Sequence, residues 1–362
     1  MSLRVRTLDR YVAAQFLRMF FLCLASFIVI YLLVDFIERS SQLLKNDPGT
    51  LPVLLYFVYK MPLIVFQMIP VACLLGSLLS LTLLARHSEL TAIKAGGIPL
   101  LRATASILIL SGAISAAGFA MNEYVVPVAN QKKEYVYKVN IKKHEWRVKY
   151  RKANVYYRTP DAIFSFALFV PEQNKIAGVG MYRFDARFHL VERAIAERAH
   201  YDGGWRLDNG TSWRFENGRV VDTRTFDELP VDLRETPEDM KIYQKDAEQM
   251  GYRELKAFVR DLERQGYDAA KYKVDLQGKL AFPLVPIIMA MLGIPFAARV
   301  GRSGGVALGI GIAVVIGVAY WIVLGLGLAL GHAGTLPPFL AAWGSHVLFG
   351  AGGFAALLRV RQ

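Results

Sequence analysis

Six long runs without a charged residue constrain the fold of this chain more than any other feature. They cover residues 19–34, 61–85, 103–122, 280–298, 306–331 and 335–358. Each run is close to the roughly 20 residues that a helix needs to cross the hydrocarbon core of a bilayer. Buried helices of a large soluble protein are the alternative, but six charge-free runs of this length rarely occur in soluble cores. The sequence therefore predicts six transmembrane helices.

The segment between the third and fourth runs has the composition of a soluble domain. Residues 123–279 hold 29 of the 43 Lys and Arg residues and 25 of the 30 Asp and Glu residues, a net charge of +4. Short apolar and aromatic runs alternate there with three turn signals, Asp202-Gly203, Asn209-Gly210 and Asn217-Gly218. Such spacing is typical of antiparallel strands in a sandwich or jelly roll. The predicted fold class is a membrane α-helical protein with an inserted external all-β, jelly-roll-like domain.

Period-two alternation predicts which strand residues share a face. Phe164, Phe166 and Leu168 are expected on one side of a strand over 162–169, and a second strand is expected over 174–184. In that second strand, one side is expected to carry Ile176, Tyr182 and Phe184.

Two stretches near these strands are less regular. Residues 191–200 are rich in Ala, Glu and Arg, which favour helix, yet closely spaced turns favour a strand. The sequence Asn209-Gly210-Thr211 matches a glycosylation sequon, but a hairpin turn is the preferred interpretation. Residues 251–265 return to helix, because Leu255, Phe258, Val259 and Leu262 form an apolar stripe.

The positions of the basic residues predict the orientation. The net charge of +13 first suggests a nucleic-acid partner, but much of it lies in short loops between the apolar runs. On one side of the membrane these loops and termini carry ten basic residues: Arg4, Arg6, Arg10, Arg86, Lys94, Arg102, Arg299, Arg302, Arg359 and Arg361. The opposite side carries Arg39, Lys45 and Lys60. Because basic loops stay inside, both termini are expected in the cytosol and the large domain outside.

The chain lacks the motifs of an energy-converting or hydrolytic enzyme. It has no Walker A pattern, no H-E-x-x-H and no C-x-x-C. The one G-x-S-x-G match, at 301–305, lies in a short loop where a nucleophile elbow has no preceding strand. Cys23 and Cys73 lie in apolar runs and are expected to pack as small residues. The energy for any work is therefore expected to come from a partner.

Two features suggest surfaces for partners. Residues 86–97 read RHSELTAIKAGG, a short polar segment that is either a connecting loop or an interfacial helix that docks on a cytosolic protein. Glu89 is the only carboxylate of the cytosolic loops besides Asp9, and a lone acid suits a charge-assisted contact. Small residues also recur every fourth position along the fifth run, at Gly301, Gly305, Gly309, Ala313 and Gly317. This ridge permits close helix packing, either within the chain or against another subunit.

The chain resembles the LptF/LptG permeases of lipopolysaccharide export. The matching stretches are LDRYV at 8–12, P-x-x-x-L-L-G-S-L-L at 70–79, ARHSELTAIKAGGI at 85–98, NEYVVP at 122–127, YDGGWRLDNG at 201–210, YRELKAFVRDLERQGYDAAKY at 252–272, KLAFPLVPIIMAMLGIPFA at 279–297 and LPPFLAAW at 336–343. They cover nearly the whole chain in the family's order. The stretch LVDFIERS at 33–40 resembles the G-like subunits more than the F-like ones.

The resemblance implies a transporter subunit without an ATPase domain of its own. Expected partners are an LptB-like ATPase dimer, the other LptF/LptG-type permease subunit, and LptC-like and LptA-like periplasmic proteins. No cofactor is expected on this chain, since ATP and Mg²⁺ would be used by the ATPase. The implied location is the inner membrane of a Gram-negative bacterium. The implied domains are helices 1–3 over 1–122 with a coupling helix at 86–95, a periplasmic domain over 123–267, and helices 4–6 over 268–362.

The resemblance also implies site residues. The ATPase-coupling candidates are Glu89, Arg86, Leu90, Ile93 and Lys94. The candidates for contacting the lipid phosphates are Lys60, Lys132, Lys133, Lys138, Lys142 and Lys143. The candidates for a lipid path in the jelly roll are Phe164, Phe166, Leu168 and Trp205. The subunit-interface candidates come from the spacing of small residues described above and are Gly305, Gly309, Ala313 and Gly317. Asp35 stands where G-like subunits can carry a basic residue, so the phosphate contacts cannot be transferred one by one.

A second class of function stays open at this level. A non-transporting envelope protein, used for assembly or signalling, could use the same external domain to bind a partner. Co-purification discriminates between the two, because a stoichiometric cytosolic ATPase is expected only for the transporter.

Overall fold

The computed structural model describes residues 7–44, 48–142, 148–151, 154–159, 161–170, 175–185, 187–216, 218–233, 246–264, 268–300 and 305–359. The chain divides into two compact units. The first comprises Met1–Lys143, Ala247–Val259 and Tyr267–Gln362, and the second comprises His144–Asp246 and Arg260–Gly266.

The first unit is helical. Its helices are α1 (Thr7–Leu44), α2 (Thr50–Arg86), α3 (Glu89–Ala95), α4 (Leu100–Ala120), α5 (Val126–Tyr135), α6 (Tyr252–Arg264, which continues into the second unit), α7 (Ala270–Ala281), α8 (Val285–Val300), α9 (Gly305–His332) and α10 (Pro338–Leu358). Short 3₁₀ turns lie at Ala247–Gln249 and Phe282–Leu284. Six helical stretches are long and apolar enough to cross a membrane: Thr7–Ser41, Thr50–Arg86, Leu100–Ile141, Ala270–Ala298, Ala307–His332 and Pro338–Leu358. The prediction of six spans is confirmed.

Helix α2 runs through the core of this unit, and small residues let its neighbours approach closely. Nearly every side chain over residues 72–84 is buried. A Cβ on Gly293 of α8 would lie 2.9 Å from the Leu74 carbonyl oxygen of α2, so the two helices pack backbone against backbone. Cys23 and Cys73 are unpaired and buried in the same apolar cluster, as expected for packing residues.

The third span continues far beyond its apolar run. Helical structure extends from Leu100 to Ile141, about 20 residues past Asn122. Two π-helical turns, Met121–Val125 and Val136–Ile141, flank α5. Pro127 has no amide hydrogen to donate to the preceding turn, and the first π-turn lies immediately before it. Because the helix continues, the second unit begins at His144.

The helix that leads back to the membrane is anchored on this extension. The Glu123 carboxylate accepts hydrogen bonds from the amides of Tyr252 and Arg253, at 2.5 and 3.4 Å, and so caps the start of α6. The predicted stripe of Leu255, Phe258, Val259 and Leu262 is buried. Asp268 accepts a hydrogen bond from the first amide of α7.

The second unit contains a single seven-stranded antiparallel sheet. Its strands are β1 (Val148–Arg151), β2 (Asn154–Arg158), β3 (Ala162–Val170), β4 (Lys175–Phe184), β5 (Leu190–Tyr201), β6 (Trp205–Glu216) and β7 (Arg219–Val231). They pair in chain order from β1 to β7, as in a meander. The all-β nature of the insert is confirmed, and residues 191–200 form a strand as predicted.

One predicted hairpin is wrong. Asn209 and Gly210 lie inside β6, which runs unbroken from Trp205 to Glu216. Asn209 has φ +49°, a left-handed conformation that Asn tolerates better than most residues. A Cβ on Gly210 would lie 2.4 Å from both the Ile195 carbonyl oxygen and the Phe226 ring, so only glycine fits there. The Asn-Gly pair therefore accommodates a neighbouring aromatic ring instead of reversing the chain.

The other two turn signals mark real chain reversals. The Asp202 amide bonds the Gly204 carbonyl between β5 and β6, and Tyr201 pairs with Trp205. Glu216 pairs with Arg219 across the next connection, where Gly218 has φ +76° and Asn217 lies outside the described residues.

A line across the sheet marks where the alternation of buried and exposed side chains inverts. Along this line the register of paired residues skips one residue per strand: Gly178 in β4, Glu197 in β5, Asn209 in β6 and Asp227 in β7. Gly178 has φ +59°, similar to Asn209. On one side of the line the buried apolar side chains of β4 and β5 are Val179, Met181, Ala194 and Ala196, and on the other side they are Ile176 and Ala199. A left-handed residue rotates the strand, so both halves contribute to one apolar cluster.

This inversion corrects the predicted face of β4. Ile176 is buried as expected, but Tyr182 and Phe184 are only half-buried, and Val179 and Met181 fill the core instead. Strict alternation fails there because Gly178 lies between Ile176 and Val179.

Candidate functional site

The short helix α3 lies in the connection between α2 and α4, where the sequence allowed either a loop or a helix. Ser88 precedes α3 with φ +61°, and Gly97 follows it with φ +76°. The amides of Gly96 and Gly97 bond the carbonyls of Ala92 and Lys94, which ends the helix. Residues 86–97 therefore contain a defined helix between two turns.

The side chains of α3 divide between the core and the surface. Leu90 is buried in the large apolar cluster of the helical unit. Glu89, Ile93 and Lys94 are half-buried, and Arg86 at the end of α2 is exposed. The five coupling candidates thus lie within one small region, with a carboxylate at the first residue of the helix.

One side chain of the first turn of α1 bonds the helix that follows this region, and sequence reasoning did not connect the two. Asp9 accepts two hydrogen bonds from the Arg102 guanidinium, at 2.6 and 2.8 Å. The sequence signal was the scarcity of carboxylates among basic loops, which singled out Asp9 but not its partner.

Near the other end of α1 lies a buried charge cluster. The Lys60 ammonium of α2 donates to Asp35 at 2.5 Å, and Arg39 donates to the same carboxylate at 3.1 Å. The Lys60 Nζ also lies 5.6 Å from the centre of the Tyr31 ring and 5.8 Å from that of Tyr56. Asp35 therefore neutralises Lys60, one of the residues singled out for phosphate contacts.

The remaining phosphate candidates lie along the extension of the third span. Lys138 forms an ion pair with Glu134 at 3.0 Å. The Lys132 ammonium lies 5.6 Å from the centre of the Tyr59 ring, and the Lys142 ammonium lies 4.8 Å from that of Tyr137. Lys132 and Lys142 are exposed and Lys133 is half-buried, whereas Lys143 lies outside the described residues.

The candidates for a lipid path belong to the apolar cluster of the sheet. Phe164, Phe166 and Trp205 are almost completely buried there. The backbone of Leu168 pairs with Ala177 in the β3–β4 ladder. Tyr201, Phe226, Leu229 and Val231 are only partly buried and pack at the border of the cluster.

Part of the small-residue ridge is buried within the chain. Gly309, Ala313 and Gly317 are buried, and Ala313 belongs to the same cluster as Tyr320 and Leu324. The role of the ridge at a subunit interface stays a prediction. Gly305 begins α9, and Gly301 lies outside the described residues. The exposed face of α9 consists of large apolar residues: Leu308, Val314, Val315, Val318, Ile322 and Leu326.

Two histidines of the helical unit are held in polar contacts. His346 is buried in α10, where its Nε2 lies 3.4 Å from the Tyr320 hydroxyl. His332 lies 2.8 Å from the Asp275 carboxylate. Within the described residues, one group could offer three metal ligands, namely His200, Asp208 and Glu228 on the sheet. Those groups already pair with one another, and Glu228 also pairs with Arg206.

Comparisons with known proteins agree with this architecture. The model of the family described as lipopolysaccharide export system permease LptF/LptG matches residues 10–359. Lipopolysaccharide export system permease protein LptG of Escherichia coli (strain K12) is 21% identical over 297 residues, 80% of each chain. The protein of the same name from Haemophilus influenzae is 20% identical over 297 residues, 81% of each chain. The family match runs through all six spans and the inserted sheet.

Proposed function

The chain belongs to the LptF/LptG family of lipopolysaccharide export system permeases, and from this premise we propose that a partner ATPase drives it through helix α3. As a family member it is a multi-pass inner-membrane protein and a transporter component, not an enzyme, as the sequence resemblance predicted. The alternative of a non-transporting envelope protein is not favoured by a match of this extent.

The proposed partners supply what this chain does not carry. An LptB-like ATPase dimer would bind and hydrolyse ATP with Mg²⁺, and this chain would bind no cofactor itself. A second LptF/LptG-type permease subunit would complete the membrane part. LptC-like and LptA-like proteins would receive the lipid in the periplasm. Both termini would lie in the cytosol and the sheet in the periplasm, which agrees with the basic short loops around α3.

The position of Glu89 is the observation that carries the coupling proposal. It is half-buried at the first residue of a helix whose next side chain, Leu90, is anchored in the core. A basic residue of the ATPase would bond this carboxylate, since charge-assisted contacts are the strong ones. Because Leu90 ties α3 to the packed spans, force on Glu89 would reach them directly.

The substrate would meet two kinds of surface. The exposed lysines of the third span's extension, Lys132 and Lys142 with the half-buried Lys133, would pair with lipid phosphates. Lys60 would contribute only if a phosphate replaced Asp35 as its partner. The acyl chains would enter the apolar cluster of the sheet at its partly buried border, near Phe226 and Leu229.

Coupling is tested by replacing Glu89 with Lys in the complex reconstituted in proteoliposomes. We expect ATP hydrolysis to continue while lipopolysaccharide release per ATP falls strongly, because like charges would now face each other at the contact. Thr91→Lys is the matched control, since it places the same lysine side chain at an exposed position of the same helix. Normal release by the Glu89→Lys complex would remove the coupling role.

The lipid route is tested with a photocrosslinking residue at Phe226 or Leu229 in cells that export lipopolysaccharide. We expect lipopolysaccharide adducts at these border positions. Val221 on the same strand, which is 51% exposed and not part of the cluster, is the control. Equal labelling at Val221 and Leu229 would speak against a route along the cluster.

A further inference from the structure

We infer that the sheet carries a binding site for a transition-metal ion such as Zn²⁺, formed by His200, Asp208 and Glu228. One ring nitrogen of the histidine and one oxygen of each carboxylate lie within 4.8 Å of one another. Two ligands of one Zn²⁺, with bonds of about 2.0–2.2 Å, lie at most about 4.4 Å apart. Side-chain movements of less than about 1 Å would therefore bring all three groups onto one ion. The inference concerns the sheet alone and does not rest on the coupling proposal.

The strands direct these three side chains to one face of the sheet. In each of β5, β6 and β7, the residue next to the ligand in the strand packs in the apolar cluster: Ala199, Leu207 and Leu229. Because successive side chains of a strand point to opposite faces, the three ligands share the face away from the cluster. Asp208 lies directly opposite Glu228 in the β6–β7 ladder, and His200 is diagonal to Asp208 across β5 and β6. Three neighbouring strands, rather than loops, therefore position the ligands.

Two carboxylates face each other at this site. Like charges directly opposite each other destabilise a sheet. Two exposed arginines lie alongside: Arg206 bonds one oxygen of Glu228 at 3.1 Å, and Arg198 pairs with Asp208 in the β5–β6 ladder. Ion pairs of exposed side chains contribute little. A divalent cation held by both carboxylates would replace their repulsion by attraction.

The histidine sets the class of ion. Its Nδ1 lies 2.8 and 3.0 Å from the two oxygens of Asp208, and its Nε2 lies 3.9 Å from Oε1 of Glu228. Mg²⁺ and Ca²⁺ prefer oxygen ligands, whereas imidazole suits Zn²⁺, Cu²⁺ and Ni²⁺. Arg206 holds the other oxygen of Glu228, and such an outer partner fixes the orientation of a ligating carboxylate. Three protein ligands leave a fourth position for water or for a side chain of another protein.

The test measures binding of Zn²⁺ alone by calorimetry, on the full untagged chain purified in detergent and stripped of metal with a chelator. We expect one saturable site per chain that depends on His200. His200→Ala and Asp208→Asn should each weaken binding by about tenfold or more, since even changes of outer partners cost about 10–100-fold. Glu228→Gln should do the same, and its side chain is 52% exposed, so this variant tests the site even if the others disturb the sheet.

His189→Ala is the matched control. His189 belongs to the same unit and lies 3.2 Å from the single carboxylate of Asp185, so it offers the same pair of groups without a third ligand. Its replacement should leave the affinity for Zn²⁺ unchanged. The inference would be overturned by the absence of saturable binding, by full binding in His200→Ala, or by an equal loss in His189→Ala.

Two further measurements test the class of ion and its effect on the sheet. Mg²⁺ in large excess should not displace Zn²⁺, and displacement would show an unspecific attraction to the carboxylates. Zn²⁺ should also raise the midpoint of thermal unfolding, because a ligand that binds only the folded state stabilises it. We expect this rise in the unchanged chain and not in Glu228→Gln. Equal rises in both would contradict a site that joins β5, β6 and β7.

Discussion

The two ends of α1 carry ion pairs of similar chemistry in different surroundings. At the start, Asp9 pairs with an Arg102 side chain that is 43% exposed. Near the end, Asp35 pairs with Lys60, and their side chains are 7% and 6% exposed. An ion pair open to water contributes little to stability. Removal of one partner of a buried pair leaves an uncompensated charge. The exposed Asp9–Arg102 pair can therefore break and re-form during transport, whereas the buried Asp35–Lys60 pair fixes α1 to α2.

The largest effect is expected from Lys60→Met. It leaves the buried Asp35 carboxylate with the 45% exposed Arg39 as its cationic partner. The free energy of unfolding should fall by up to about 3–5 kcal/mol, the loss expected when a buried charge is left without any partner. Thermal unfolding of the purified chain in detergent measures this, with the exposed Lys132→Met as control. Adding Asp35→Leu to Lys60→Met should recover most of the loss. If Lys60→Met proved as stable as the control, the buried Asp35–Lys60 pair would not be what fixes α1 to α2.

A smaller effect is expected from Arg39→Ala. Arg39 is 45% exposed and bonds the same carboxylate from the next turn of α1, so Lys60 still neutralises Asp35 after its removal. The loss should stay below about 1 kcal/mol, as for exposed pairs. The same unfolding measurement decides, and a loss equal to that of Lys60→Met would show that the cluster acts as one unit.

The smallest effect on stability is expected from Asp9→Asn. The pair with Arg102 is partly exposed, so its loss should leave the unfolding midpoint close to that of the unchanged chain. Salt sharpens the contrast, since screening weakens exposed pairs more than buried ones. Transport per ATP should therefore fall with rising salt before the stability does. If Asp9→Asn lowered the unfolding midpoint sharply, the ion pairs at both ends of α1 would contribute to stability in the same way.

The membrane part was predictable because one physical requirement dominates it. A helix in lipid must be long and free of charge, so runs such as 61–85 specified their own structure. The pairs Asp9–Arg102 and Asp35–Lys60 were not predictable, because they join helices whose packing is not written in local sequence. The ridge through Ala313 had the same difficulty, since small residues indicate close contact but not the identity of the neighbour.

The all-β nature of the sheet was predictable, but its turns and the buried faces of its strands were less so. Strands were recognised even over 191–200, where helix propensity argued otherwise, because closely spaced turns limit a helix. Asn209-Gly210 misled because the same dipeptide serves a hairpin and a left-handed residue within a strand. The space that Gly210 leaves for Phe226 depends on a strand whose register only the structure shows.

The long third span has a mechanical consequence. Its 42 residues from Leu100 to Ile141 correspond to about 60 Å at 1.5 Å per residue. The hydrocarbon core is only about 30 Å thick, so roughly half of the helix extends beyond it. Such a helix is a lever whose base carries Arg102, beside the coupling segment, and whose far part carries Lys132 and Lys142. A slight tilt at the base is magnified along its length, so a small movement at α3 could carry those lysines much further than α3 itself moves.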